Sequence, residues 1–258
     1  MMLGVSTLAL YREKRVSIAS LIESNVDIDR WEILDEGFNR LTQEQIKGLM
    51  SLQTDKDLSV HAPFSSINIA EPTSILRRSF TKVLSRSLKN AYKIGAKAWI
   101  LHPGNYSPFT IHFPELARNK SIDLIKKLLK EAENYSITLY IENLPGKEAL
   151  LNNLKTTWSF LEELNEDVRL CLDIGHANLF EGPEAFIERL RNRIGYIHSH
   201  DNIKDSDRHL PVGEGTVSWD RVTNLLKEIG YNGWVIVENL SMEDSRKSLG
   251  VLLRLLST

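Results

Sequence analysis

The chain has 258 residues, 42% of them hydrophobic and 26% charged, enough apolar material for a full core and unlike a disordered or fibrous sequence. Its 32 basic residues nearly balance 34 acidic ones for a net charge of −2, with no block of like charge, which argues against binding nucleic acid through bulk charge. One cysteine, Cys171, excludes an internal disulfide framework, and no run approaches the roughly 18 apolar residues that span a bilayer.

The opening MMLGVSTLAL carries no basic leader and no small-residue cleavage site, so a soluble, cytoplasmic protein with no membrane partner is expected. Eight short apolar runs follow one another along the chain: MLGVST, WEILD, LSVHAPF, AWILHPG, ITLYIEN, RLCLDIG, GYIHSHD and GWVIVEN. Each is too uniformly apolar for a half-exposed strand, and the pattern predicts parallel strands buried on both faces. Cys171, within RLCLDIG, reads as a small buried hydrophobe. Segments of helical period lie between the runs. Pro114 predicts the first turn of a helix in which Ile122, Ile125, Leu128, Leu129 and Ala132 form one apolar face. Pro183, after Gly182, predicts another first turn. Ser218 is expected to cap WDRVTNLLKEIG, with Gly230 closing it, and Ser241 with Asp244 forms a capping pair before the last helix. Eight strand–helix alternations in one domain, residues 1–258, predict an α/β fold of the (β/α)8 TIM-barrel type. An open doubly wound sheet is the runner-up, but GVSTLALYREK lacks the glycine-rich phosphate turn that such a sheet carries after its first strand.

In a barrel of this kind the active site lies at the C-terminal ends of the strands. Glu32, His61, His102, Glu142, Asp173, His198 and Glu238 each close an apolar run. A charge there is costly unless paired, hydrogen-bonded or bound to metal. A single histidine in such a place is ordinarily a satisfied core residue, but repetition over so many strands points to a shared site. Glu142, Asp173, His198 and Glu238 form a donor set suited to manganese, magnesium, zinc or cobalt, and the imidazoles of His61 and His102 move the preference toward zinc or manganese. His176, three residues past Asp173, and the Asp207–His209 pair bring the candidates to five histidines and four carboxylates. Gly213 and Gly215 allow a tight return of the loop that holds that pair. His200 shares a strand face with His198, and either contacts substrate or orients a ligand. His112 is expected at the surface.

The motifs HAPF (61–64), HPG (102–104), EN (142–143), DxxH (173–176), HxHDN (198–202), DRH (207–209) and EN (238–239), in this order, resemble the xylose-isomerase-like TIM barrels, a superfamily that includes endonuclease IV and sugar isomerases and epimerases. The resemblance spans essentially the whole chain. It implies up to three divalent metal ions, with zinc first in preference. His61, His102 and Glu142 would hold one, Glu142 would bridge to a second shared with Asp173, His198 and Glu238, and His176, Asp207 and His209 would hold the third. The epimerases of the superfamily imply instead one metal on Glu142, Asp173, His198 and Glu238, with Glu142 and Glu238 as acid and base and His176 against substrate.

Charge separates the two readings. Three divalent ions against four carboxylates leave a site charge of +2, suited to a phosphodiester; one ion against three carboxylates leaves −1, suited to a sugar reacting through an enediolate. Filling of the extra five positions favours a phosphoester hydrolase, with a small phosphorylated substrate or damaged DNA at an abasic site as its target, over a mononuclear isomerase or epimerase of a sugar or sugar phosphate. The sequence departs from endonuclease IV in two places. The loop DEGFNRLTQEQ is acidic where an aromatic–basic insertion is expected, and Phe64 stands where a tyrosine is expected. Tyr11 and Arg12, with Lys14 and Arg15, form a cluster with the chemistry to contact phosphate, although short charged clusters are ordinarily solvated surface.

Overall fold

The computed structural model describes residues 1–52, 55–164 and 168–257. All eight apolar runs form strands: β1 (Met2–Ser6), β2 (Arg30–Leu34), β3 (Asp57–His61), β4 (Ala98–Leu101), β5 (Thr138–Glu142), β6 (Arg169–Asp173), β7 (Ile194–Ser199) and β8 (Trp234–Val237). They pair in parallel in sequence order, and β8 returns to β1 to close the barrel. Closure leaves no strand edge, so the backbone groups of every strand have a neighbour on both sides.

The helices are α1 (Ile18–Ser24), α2 (Gln43–Met50), α3 (Ser74–Lys93), α4 (Pro114–Asn134), α5 (Leu154–Leu164), α6 (Ile174–Asn178), α7 (Pro183–Leu190), α8 (Trp219–Glu228) and α9 (Met242–Ser257). Pro114 and Pro183 occupy the first turns of α4 and α7, where a missing N–H leaves no hydrogen bond unmade. The Asp244 N–H donates to Ser241 Oγ (3.1 Å) while Ser241 Oγ donates to the Asp244 carboxylate (2.9 Å), the reciprocal cap expected before α9. Ser218 precedes α8 as predicted, but its side chain makes no capping hydrogen bond. Gly230 follows α8 at φ +68°, a left-handed conformation that glycine adopts without strain. No helix is long and apolar enough to cross a membrane, among the described residues.

The two-residue period of a strand sorts its side chains into an inner and an outer set. Ala98, Ile100, Cys171, Tyr196 and Ile236, with Tyr140 and Trp234, pack together inside the barrel. The alternate set, including Trp99, Ile141, Leu172, Ile197, Val235 and Val237, packs outward. Advancing two residues along each inner row gives His102 after Ile100, Glu142 after Tyr140, Asp173 after Cys171, His198 after Tyr196 and Glu238 after Ile236. The apolar plug and the polar mouth are therefore successive layers of one inner face. Glu32 belongs to this set one layer lower than expected. It is the third residue of β2 rather than its end and is completely buried, because the C-terminal end of the strand is extended by Ile33 and Leu34.

The outer layer carries much of the stability. Phe160 of α5 is fully buried, with the Arg118 guanidinium 5.3 Å from its ring centre. Phe160→Ala is expected to lower the unfolding free energy by about 3–5 kcal/mol while leaving the mouth of the barrel intact. Denaturant unfolding measures this, and a loss below about 1 kcal/mol would contradict the packing described here.

Candidate metal centre at the barrel mouth

Glu142, the last residue of β5, organises the mouth. Its Oε2 lies 3.1 Å from His61 Nε2 and 3.1 Å from His102 Nε2, while its Oε1 lies 3.0 Å from His198 Nδ1 and 3.5 Å from His176 Nδ1. Three groups of donors result: His61, His102 and Glu142; Glu142, Asp173, His198 and Glu238; and His176, His200, Asp207 and His209. Within each group the donor atoms lie within 4.8 Å of one another. All nine residues expected as ligands are brought together, and His200 joins the third group.

The imidazoles are already oriented. His61 Nδ1–H donates to Ala62 O, His176 Nδ1–H to Asn143 O and His209 Nδ1–H to Glu238 O, each at 2.8 Å. A carbonyl accepts only from N–H, so each ring keeps its proton on Nδ1 and presents Nε2 to its group. His198 is reversed: its Nε2–H donates to Glu32 Oε2 at 3.0 Å, leaving Nδ1 toward Glu142, Asp173 and Glu238. Carbonyls and carboxylates in these positions fix the tautomer and the ring angle of a metal-binding histidine. Glu32 is thus the partner that orients His198, a role that its position in the sequence did not reveal.

Asparagines tie the donor-bearing loops together. Asn143 Nδ2 donates to Asp173 O (3.0 Å), and the Asp173 N–H donates to Asn143 Oδ1 (2.8 Å). Asn239 Nδ2 donates to the carbonyls of His209 and Leu210, both at 2.9 Å. In each EN pair, the glutamate faces the site and the asparagine fastens another ligand-bearing segment, the later one for Asn143 and the earlier one for Asn239. Asp201 organises the loop that follows β7. Its carboxylate accepts from the N–H groups of Asn202, Gly213 and Val217 and from Trp219 Nε1. Gly213 turns at φ +90°, and a Cβ on Gly215 would meet Asp201 Oδ1 at 2.1 Å, so both glycines of the return are required. His209 holds a left-handed φ of +50°, a conformation that costs about 1–2 kcal/mol outside glycine and is sustained here by the hydrogen bonds on either side.

Several buried polar atoms at the mouth have no hydrogen-bond partner among the described residues: Glu32 Oε1, Asp173 Oδ2, Asp207 Oδ1 and both ring nitrogens of His200. Orphaned acceptors beside lone-pair imidazole nitrogens fit divalent cations, which would satisfy them. Electrostatics fit as well. Burial alone would lower the His61 imidazole, but Glu142, Glu32 and Glu238 raise it to about 9. Burial opposes ionisation of Glu142, yet His198 and His102 hold its carboxyl well below the usual range. Burial pushes Glu238 well above that range, with Glu32 and Glu142 adding to the shift and His198 opposing it.

A cavity of about 310 Å³ opens over these groups. Its walls include Leu8, Leu34, Phe64, Leu144 and Pro145, and no lysine or arginine lines it, among the described residues. Phe64 lies with its ring centre 4.8 Å from that of His102 and 5.4 Å from that of His61. Tyr11 and Arg12 are not among the lining residues; they stand on the exposed turn after β1, where Lys14 lies over the Phe38 ring. Local charge could not say which way that turn faces. His112 is exposed, as expected.

Glu32→Ala leaves the His198 Nε2–H without its acceptor and is expected to weaken cation binding at the second group by about 10–100-fold, with Glu32→Gln milder because it keeps an acceptor oxygen. Competition against a chelator measures this, and unchanged affinity in Glu32→Ala would remove the orienting role. A second expectation follows from His61, which is protonated below about 9 and must lose that proton before Nε2 can donate to a cation. Zinc uptake in weakly buffered solution should release protons at pH 7, in an amount that falls as the starting pH is raised through 9. Release independent of pH would contradict it.

The family model described as a xylose isomerase-like TIM barrel matches residues 25–255. The chain is 31% identical to the uncharacterized protein MJ1311 of Methanocaldococcus jannaschii, over 98% of this chain and 88% of that protein. It is 26% identical to a probable endonuclease 4 of Mycoplasma pneumoniae, over 79% of this chain and 72% of that one. The crystal structure of a D-tagatose 3-epimerase-like protein superimposes with a TM-score of 0.90 at 30% identity, covering 100% of this chain and 97% of the other. Its closed parallel barrel, these likenesses and the match over residues 25–255 make the chain a member of the xylose isomerase-like TIM barrel family.

Proposed function

We propose that this protein is a divalent-metal-dependent enzyme that hydrolyses a phosphoester of a small molecule at a three-cation centre. The observation that carries this reading is the division of Glu142, whose two carboxylate oxygens each face imidazoles of different donor groups. A carboxylate shared in this way would serve both donor groups at once. Were only the second group used, the gathering of His61, His102, His176, Asp207 and His209 at the same mouth would have no purpose.

Bound cations, zinc best matching the imidazole-rich donor set, would supply Lewis acidity to phosphoryl oxygens and lower the pKa of a water molecule. The chain's own residues do the rest. His61 and His102 with Glu142, then Asp173, His198 and Glu238, then His176, Asp207 and His209 set the positions of the centre. Phe64, Leu8, Leu34 and Leu144 form apolar walls that exclude solvent from the side of the substrate not being cleaved. Glu32 adds a buried carboxylate to the four carboxylate ligands, so three divalent cations would leave a site charge of +1, still attractive to a phosphate ester.

The cavity favours a small substrate over DNA. Its volume of about 310 Å³ is at the lower end of small-molecule sites, and it lacks the lysines and arginines that track a phosphate backbone. The acidic loop after β2 and the exposed, outlying positions of Tyr11 and Arg12 agree with this.

A second reading, a mononuclear sugar isomerase or epimerase, is favoured by a different observation. Glu142 is held well below the carboxylate range and Glu238 well above it, the separation expected of a base and an acid that share one substrate. The likeness to the D-tagatose 3-epimerase-like structure points the same way.

Elemental analysis with an activity panel of sugar phosphates, small phosphodiesters, abasic duplex and ketoses decides between them. Close to three metals per chain, phosphate release from a small ester and loss of at least about 100-fold of that activity in His209→Ala are expected of the hydrolase. One metal per chain with ketose epimerisation that survives His209→Ala would sink it in favour of the second reading.

A further inference from the structure

We infer that His200 is a fourth protein ligand of the third cation site, closing it with His176, Asp207 and His209 and leaving substrate to the two sites that share Glu142. This rests on the three-cation reading above and goes further, since the resemblance to endonuclease IV implies only three ligands at that site.

His200 follows His198 by two residues, past the end of β7, and so continues the same inner row. It is completely buried, and neither ring nitrogen has a hydrogen-bond partner among the described residues. A buried imidazole without partners loses the hydration of both nitrogens and gains nothing in return, an arrangement that ordinary core histidines avoid. Its Nε2 lies 3.1 Å from Asp173 Oδ1 and 3.5 Å from Asp207 Oδ1, but without hydrogen-bond geometry. Asp207 Oδ1 is itself orphaned, whereas Asp207 Oδ2 lies 3.2 Å from His176 Nε2 and 3.3 Å from His209 Nε2. One cation among these atoms would take up His200 Nε2 and Asp207 Oδ1 together.

The neighbourhood is shaped to admit the ring. A Cβ on Gly175 would stand 2.0 Å from His200 Cε1, so any side chain at 175 would expel it. On its other side His200 stacks on His209, with ring centres 4.0 Å apart and planes inclined by 29°. His176, Asp207 and His209 line the cavity and His200 does not, so the fourth donor approaches from the barrel interior. Zinc with four protein donors is the closed arrangement of structural sites, whereas catalytic sites keep a position free. The third cation would then hold the 201–215 loop onto α6, and substrate would meet the centre at Glu142.

Cobalt titration of the metal-free protein tests this without measuring activity. The wild type is expected to bind three Co2+, with the intense visible absorption of four-coordinate cobalt. In His200→Asn, one equivalent should weaken by more than about 100-fold, beyond the 10–100-fold loss that follows removal of an orienting partner. Part of the visible absorption should disappear with it as water replaces the imidazole. Gly175→Ala, which displaces the ring without removing it, should reproduce both changes, and His200→Gln serves where either variant fails to fold. Three equivalents with undiminished absorption in His200→Asn, at affinities within that smaller range, would overturn the inference and leave the three-cation reading standing. A wild type that saturates at one equivalent would overturn both.

Discussion

An ionised carboxylate taken out of water is tolerated only where other groups replace its hydration, and Glu142 meets this requirement with imidazoles on both of its oxygens. Those imidazoles come from β3, from the end of β4, from α6 and from β7, so one side chain binds elements separated by more than half the length of the chain. Three of these imidazoles are in turn held from behind, His61 and His176 by a carbonyl and His198 by Glu32. The ring angles are therefore set before any cation arrives. A cation held there would displace the proton that the carboxylates keep on His61.

The barrel makes this concentration of charge possible. Its inner rows place Ile100, Tyr140, Cys171, Tyr196 and Ile236 one step below the ligands, forming an apolar floor beneath the site. Even within that floor, polar atoms are paired, as in the 2.7 Å contact between Ser59 Oγ and Tyr196 Oη. Glu32 lies at the boundary between the layers and is compatible with burial because His198 faces it directly. The same two-residue step that ends the plug begins the site, which is why the ligands appear in the sequence as the last residues of apolar runs.

Most of this was legible before any coordinates. Uniformly apolar runs gave away strands buried on both faces, and the ionisable residues closing six of them, His61, His102, Glu142, Asp173, His198 and Glu238, marked the rim, because a helix or a half-exposed strand would not place such groups there so regularly. The roles that stayed hidden depend on contacts between loops. Nothing local distinguishes Asn143, which clamps Asp173 thirty residues away, from any asparagine after a glutamate. Asn239 is likewise understood only from the carbonyls of the 209–210 turn. Gly175 reads as an ordinary small residue near a helix start until the ring of His200 is seen against it. Tyr11 and Arg12 show the opposite case: their chemistry suits a phosphate, yet they stand on an exposed turn and do not line the cavity.

The backbone of the 201–215 loop shows how strongly its donors are specified. Left-handed φ values at Lys204 and His209, neither of them glycine, oppose the intrinsic preference of the chain, and Gly213 adds a third at +90°. Such a path persists only if many interactions over-determine it. Asp201 provides them from within, taking three backbone N–H groups and the Trp219 indole on one carboxylate, while Asn239 and Ser248 hold the loop from the side of β8 and α9. This acidic residue is spent entirely on loop geometry, and its neighbours Asp207 and His209 are thereby delivered to His176 at fixed distances. Charge in the loop thus divides into a scaffold carboxylate that faces N–H groups and a donor carboxylate that faces imidazoles. The partners of each carboxylate, rather than the acidity of the segment as a whole, separate structural from chemical residues.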